Sequence, residues 1–217
     1  MNKFLVFVLC CFFTVAMYAQ KYSEHYYQRK AMFENSPDTE GEIIFLGNSI
    51  TEAGDWSALF PNKNVVNRGI SGDVTDGILN RLSEVTSSKP KKIFLLVGTN
   101  DLARGKSADD VVENIAVLLR EIQEASSDTE IFVQGILPVN PQVGDKFSGH
   151  KSNQQLISLV NKRLETLSEE MGVSYIDLHR AFRNSKGELK AKYTYDGLHL
   201  SPKGYKRWKR VIKPLVN

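Results

Sequence analysis

The chain reads as an α/β protein with a mostly parallel sheet and helices on both faces. Three observations predict this. Short apolar runs recur at Ile43–Leu46, Asn64–Val66, Ile93–Val97, Ile131–Leu137 and Val173–Ile176, nearly free of charge, as strands covered on both faces should be. Segments with apolar residues at helical spacing lie between them. Clusters of Gly, Asn, Asp and Ser follow several of the runs, and right-handed crossovers gather such strand-end loops on one rim.

The elements follow in order. Met1-Asn2-Lys3 precede an apolar run from Phe4 to Ala19. One positive charge, a short apolar stretch and a small residue near Ala19-Gln20 read as a secretory signal over residues 1–19. The run falls short of the roughly 20 apolar residues of a membrane span; an uncleaved anchor is the alternative. Both cysteines, Cys10 and Cys11, lie inside it. The mature chain, residues 20–217, is then a cysteine-free single domain held by its core alone. It is expected to be secreted or periplasmic, with no membrane attachment after cleavage. A net charge of +3 gives no footprint for nucleic acid.

Lys21 to Asp38, with Tyr22, Tyr26, Tyr27 and Phe33, predicts an outer helix stopped by Pro37. The uncharged run Ile43–Leu46 is the first strand, and Gly47-Asn48 turns sharply into Ser49. Trp56, Leu59 and Phe60 suggest a helical turn before Pro61. The second strand leads into Asn67-Arg68-Gly69-Ile70-Ser71-Gly72-Asp73, a loop with two glycines. Val74, Ile78, Leu82 and Val85 predict one helix. The third strand ends in Gly98-Thr99-Asn100-Asp101. Ser107 with Asp110 has the form of a capping box, and Val111, Val112, Ile115, Leu118, Leu119 and Ile122 make one apolar face. The fourth strand stops at Pro138, and Pro138 to Lys151 is the longest predicted loop. Leu156, Ile157, Val160, Leu164, Leu167 and Met171 mark another helix, closed by Gly172. After the fifth strand comes Asp196-Gly197-Leu198-His199. Ser201-Pro202 then opens a last helix.

The polar clusters carry the chemistry. Ser49 stands at the carboxyl end of a parallel strand, where ligands bind in open α/β sheets. It serves as a nucleophile only if the chain also supplies a base, a group to orient that base, and donors for an oxyanion. His199 has Asp196 three residues before it, close enough on a tight turn to accept one ring N–H and leave the other nitrogen basic. By itself such a pair is also an ordinary surface contact. His25, His150 and His179 read as solvated or structurally satisfied. The Asn100 amide offers two N–H donors, Gly72 a backbone N–H at an unobstructed position, and Ser49 its own N–H. Each alone is also a plain loop residue.

Taken together, these blocks resemble the SGNH hydrolases, also called GDSL-type esterases. Four motifs appear in the family's order: Gly47-Asn48-Ser49, Asn67-Arg68-Gly69-Ile70-Ser71-Gly72, Gly98-Thr99-Asn100-Asp101 and Asp196-Gly197-Leu198-His199. Asn48 departs from the aspartate many members carry there. The surroundings of Ser49 and Gly72 are similar to the branch of platelet-activating-factor acetylhydrolase-like proteins and bacterial carbohydrate O-acetylesterases. The resemblance implies a three-layer α/β/α, flavodoxin-like fold with a five-stranded parallel sheet. It implies Ser49, Asp196 and His199 as catalytic residues, and Ser49, Gly72 and Asn100 as the oxyanion hole. Neither a metal nor a cofactor is required by that chemistry.

The expected substrate is a small acylated molecule, an O-acetylated sugar above all. Arg68 and Arg104 sit on rim loops in this reading, where they can meet a carboxylate of the substrate. A lipid-directed acylhydrolase or thioesterase, or a non-catalytic carbohydrate binder, is the alternative. The chain does not reveal its oligomeric state.

Overall fold

The computed structural model describes residues 21–216. The expected signal at residues 1–19 lies outside them. Helix α1 (Glu24–Glu34) precedes β1 (Ile43–Gly47), α2 (Ser49–Glu52) and α3 (Trp56–Leu59). Strand β2 (Val65–Gly69), α4 (Thr75–Leu79), α5 (Leu82–Thr86) and β3 (Lys92–Leu96) follow. Next come α6 (Thr99–Ala103), α7 (Ala108–Ala125), β4 (Glu130–Gln134), α8 (Ser148–Lys151), α9 (Gln154–Glu170) and β5 (Ser174–Ile176). The chain closes with α10 (Leu178–Phe182) and α11 (Pro202–Val216).

The five strands form one parallel sheet in the order β2-β1-β3-β4-β5, the flavodoxin-like order. Every connection from β2 onward steps the same way across the sheet, so right-handed crossovers place α4, α5, α7 and α9 on one face. The step from β1 to β2 runs the other way and puts α3 on the opposite face. There Phe45, Phe94 and Phe132 stand side by side on β1, β3 and β4, ring centroids 5.1 and 4.7 Å apart. Trp56 of α3 stacks on Phe45 at 3.8 Å. Trp208 of α11 meets Trp56 edge-on, and its indole N–H donates to Gln134. The expected three layers are present.

Four local departures from the sequence reading have physical causes. The helix predicted from Val74 to Val85 is two, α4 and α5, broken at Asn80-Arg81. Arg81 turns its whole side chain inward, and the helix yields to that demand. Strand β2 runs on to Gly69, because Gly69 pairs with Gly47. Strand β4 ends at Gln134 rather than Leu137. The Ile136 N–H and C=O are taken by the side-chain amide of Asn161 on α9, at 2.7 and 2.9 Å, and leave the ladder. The long loop after Pro138 contains the helical turn α8. The capping box at Ser107 forms as expected, with Ser107 and Asp110 exchanging side chain and backbone bonds.

Arg81 is fully buried. It donates to Asp73 from Nε and Nη2 at 3.0 and 2.9 Å and to Glu84 from Nη1 at 2.9 Å. Its Nη2 also reaches the Arg68 carbonyl at 2.9 Å. Arg68 balances the group, its Nε 2.9 Å from Glu84. The phenyl ring of Phe33 on α1 covers both guanidinium groups. Burial pushes the Asp73 carboxyl up to about 6, against the pull of Arg81. Two cations and two carboxylates therefore share one buried pocket beneath the loop that follows β2. Replacing Arg81 by Ala strands two buried carboxylates against Arg68 alone, and the expected loss is about 3–5 kcal/mol, measured by urea unfolding.

Candidate active site

The order of the sheet reverses at β1, whose two neighbours are reached by connections running in opposite directions. The crevice at the carboxyl ends of β1 and β3 is where such sheets bind ligands. Ser49 opens α2 just after β1 and Asn100 lies in the first turn of α6 after β3, so both stand on this crevice. Asn48 caps the turn, its Oδ1 accepting the Ile50 N–H at 3.0 Å. An aspartate there would accept the same bond, so the departure from the family pattern leaves the geometry intact. Gly69 passes so close to α2 that a Cβ on it would lie 2.2 Å from the Glu52 nitrogen. That contact locks the end of β2 against the segment carrying Ser49.

The tail loop reaches the same crevice. Ser49 Oγ lies 3.1 Å from His199 Nε2, and His199 Nδ1 lies 2.7 Å from Asp196 Oδ2. A carboxylate only accepts, so Nδ1 carries the proton and Nε2 is left to accept from the serine hydroxyl. The other carboxyl oxygen of Asp196 accepts the Leu198 and His199 N–H groups at 2.9 and 2.8 Å. Burial alone would raise the Asp196 pKa, but the bonds from the His199 ring and these two amides hold it below the usual carboxylate range.

Gly72 lines the crevice with a φ of +80°, a conformation that favours glycine. Its carbonyl is held by Arg104 Nη2 at 2.6 Å. Glu52 grips the preceding residue, accepting both the N–H and the hydroxyl of Ser71. Asn100 is nearly buried and donates from Nδ2 to the Asp73 carbonyl at 2.8 Å. Asp101, wholly buried beside it, accepts the Thr75 N–H and hydroxyl and so fastens α6 to the start of α4. Together Ser49, Gly72, Asn100 and His199 line a cleft of about 380 Å³, with Ser71, Ala103, Arg104, Phe147, His150 and Leu198 as its other walls. Among the described residues, no group of three or more His, Cys, Asp or Glu side chains is placed to hold a metal ion. No helix among them is long and apolar enough to cross a membrane.

The chain is similar to known proteins in sequence and in fold. A family model described as GDSL-like lipase/acylhydrolase matches residues 45–207. The chain belongs to that family. It is 30% identical over 187 residues to the platelet-activating factor acetylhydrolase IB subunit alpha2 of Rattus norvegicus, covering 82% of this chain and 76% of the relative. A solved structure from Streptococcus pneumoniae is 28% identical, with a TM-score of 0.81 over 89% of this chain and 93% of the other. An acetylxylan esterase of Geobacillus stearothermophilus, at 18% identity, shares the fold with a TM-score of 0.64 over 83% of this chain and 97% of its own. Like other members of the GDSL-like family, the protein is a carboxylic ester hydrolase. The resemblance to the SGNH hydrolases drawn from the four motifs holds.

Within this GDSL-like crevice, two sequence expectations are corrected. Arg68 is not on the rim: its side chain is buried and paired with Glu84 beneath the loop. The strand alternation that seats Asn67 against α2 sends Arg68 to the opposite side. His150, expected to be a loop histidine, lies in the cleft with Nε2 2.9 Å from Asn100 Oδ1. His25 does stand apart, paired with Glu52, and His179 is buried against Gln154. Two aromatic neighbours escaped the sequence reading. Phe147, at a φ of +62°, sets its ring edge-on between His150 and His199, with centroids 5.7 and 5.0 Å away. The exposed ring of Tyr195 lies nearly parallel to His199 at 6.0 Å. No spacing rule marks either; only the preceding Lys146 and the following Asp196 hint at a turn.

The lowered pKa of Asp196 sets the sign of its effect on stability. Its bonds stabilise the fold above the unfolded value of about 3.9 and are lost as pH falls through the lower folded value. The stability gap between wild type and Asp196→Ala, measured by urea unfolding, is therefore expected to be widest at neutral pH and to close in strong acid.

Proposed function

We propose that the protein is a serine esterase that removes short acyl groups, chiefly acetyl, from carbohydrate. The observation that carries this reading is the unbroken line of hydrogen bonds from Ser49 through His199 to Asp196, ending in a cleft that also presents Gly72 and Asn100. Ser49 Oγ attacks the ester carbonyl as its proton passes to His199 Nε2. The negative oxygen of the tetrahedral intermediate is held by the N–H groups of Ser49 and Gly72 and by the second Nδ2–H of Asn100. Asp196 fixes the ring of His199 and stabilises the imidazolium. The intermediate collapses, the C–O bond breaks, and His199 returns the proton to the leaving alcohol. Water, activated by His199, then attacks the acyl-serine and releases the acid.

Support for an acetyl group comes from the 30% identical relative, a subunit of an acetylhydrolase. Support for a polar alcohol comes from the open mouth of the cleft. Arg104 stands there beside Gly72, and its remaining guanidinium donors suit a carboxylate or hydroxyl of a sugar. The export signal read at residues 1–19 fits an enzyme that meets glycans outside the cytoplasm. One observation favours a second reading, a lipid-directed acylhydrolase. An apolar groove of about 570 Å³ runs past Tyr195 between Ala58, Leu59, Leu200 and Tyr205, wide enough for an alkyl chain.

Acetate release from acetylated xylan, pectin and O-acetyl sialic acid, set beside aryl esters of increasing chain length, separates the two. The glycan reading expects the acetyl esters to be the best substrates; a preference for chains of about eight carbons or more selects the lipid reading. Ser49→Ala is expected to lower kcat by about 10⁴-fold or more, and Asp196→Asn by roughly 10²–10⁴-fold, with little change in KM. An aryl acetate assay at matched protein concentration reads both.

A further inference from the structure

The Asn100 amide is pinned from two sides. Its Nδ2 gives one hydrogen to the Asp73 carbonyl at 2.8 Å, and its Oδ1 faces His150 Nε2 at 2.9 Å. A flipped amide would set its oxygen against the Asp73 carbonyl, which has no proton to offer. Oδ1 therefore points at His150 and only accepts, so the bond exists only if His150 Nε2 carries a proton. We propose that His150 is a positioning residue for the oxyanion site: its Nε2–H holds the Asn100 amide so that the second Nδ2–H points at the reacting carbonyl. This rests on the reading of Asn100 as an oxyanion donor. Among the described residues no hydrogen bond joins the His150 side chain to Ser49 or His199, and its bonded partner in the site is Asn100.

One general principle and three observations agree. A donor to Oδ1 draws charge from the amide and strengthens its N–H as a donor, as in any hydrogen-bonded chain. Burial, then the neighbouring His199 and Arg104, hold the His150 ring below the ordinary histidine range. That favours the neutral ring, whose single proton sits on one nitrogen. The backbone prepares the place: the left-handed φ of Phe147 turns the chain into α8, and the His150 N–H bonds back to the Phe147 carbonyl at 3.0 Å. The Phe147 ring, wedged against both histidines, limits the tilt of the imidazole.

The test is a double-mutant cycle on aryl acetate hydrolysis. His150→Ala is expected to lower kcat by about 10- to 50-fold, part of the roughly 10²–10³-fold that loss of an oxyanion donor costs, with KM changed less than about twofold. His150→Gln, whose Nε2 can donate to Oδ1 from a similar position, is expected to restore most of the rate. His150→Glu, which can only accept when ionised, is expected to be at least as slow as His150→Ala. In an Asn100→Ala background the His150→Ala change is expected to cost almost nothing. Equal costs in both backgrounds, or no rescue by Gln, overturn the proposal. Nitrogen NMR of the His150 ring tests it without turnover: a proton on Nε2 at neutral pH supports it, and a proton on Nδ1 alone overturns it. Should wild type and Ser49→Ala prove equally inactive on every ester, the esterase reading fails, while the NMR result still decides the tautomer.

Discussion

One buried cation ties the catalytic end of the sheet together. Arg81 reaches Asp73 on the loop after β2, Glu84 on α5, and the Arg68 carbonyl on β2. Its Nη2 also approaches the Gly47 carbonyl at the end of β1. These are the segments that carry Ser49 on one side and Gly72 on the other. A guanidinium suits the task because its donors lie in one rigid plane and match several acceptors at once. Burial makes the arrangement all-or-none. Four charges share the pocket, and removing any one leaves another uncompensated away from water. The loop bearing Gly72 is therefore held from beneath, while Arg104 and Glu52 hold it from the rim.

What could be read from residues alone follows from this. The strands were legible because a parallel strand covered on both faces must be apolar along its whole length. The four polar motifs were legible because each follows a strand or opens a terminal helix at a recognisable turn. The placement of Arg68 was not. A strand sends successive side chains to opposite faces, and assigning Arg68 to the rim required knowing which face α2 occupies. Arg81 left no trace in the periodicity except the break between α4 and α5, visible only afterwards. The early end of β4 was hidden for a similar reason: Asn161, 25 residues further on, supplies the bonds that a neighbouring strand would have made.

His150 shows a different limit. Its segment is rich in glycine, proline and charge, which correctly describes a surface loop. A loop that folds back over an active site has the same composition as one that does not. Only the third dimension places α8 against α6, and with it an imidazole against the amide of Asn100. The same holds for Tyr195. Its neighbour Asp196 was identified from spacing, yet an exposed tyrosine in a turn carries no signal of the imidazole it faces.

The proposed oxyanion site would draw on donors of two kinds. A backbone N–H is fixed by the peptide plane, so Ser49 and Gly72 need only the correct chain path, which the tight passage of Gly69 beside α2 and the positive φ of Gly72 provide. A side-chain amide has a rotatable bond and two ends that differ only in chemistry. Left alone, it could present oxygen rather than nitrogen to a forming anion, turning a stabilising group into a repelling one. The cost of that error is large, because an oxygen aimed at a forming anion repels it where an N–H would hold it. In the proposed arrangement Asn100 avoids it because each end has an opposite partner: the Asp73 carbonyl for its nitrogen and the His150 imidazole for its oxygen. On that proposal the second amide hydrogen is the one left to face the substrate, with its direction set before any ester arrives.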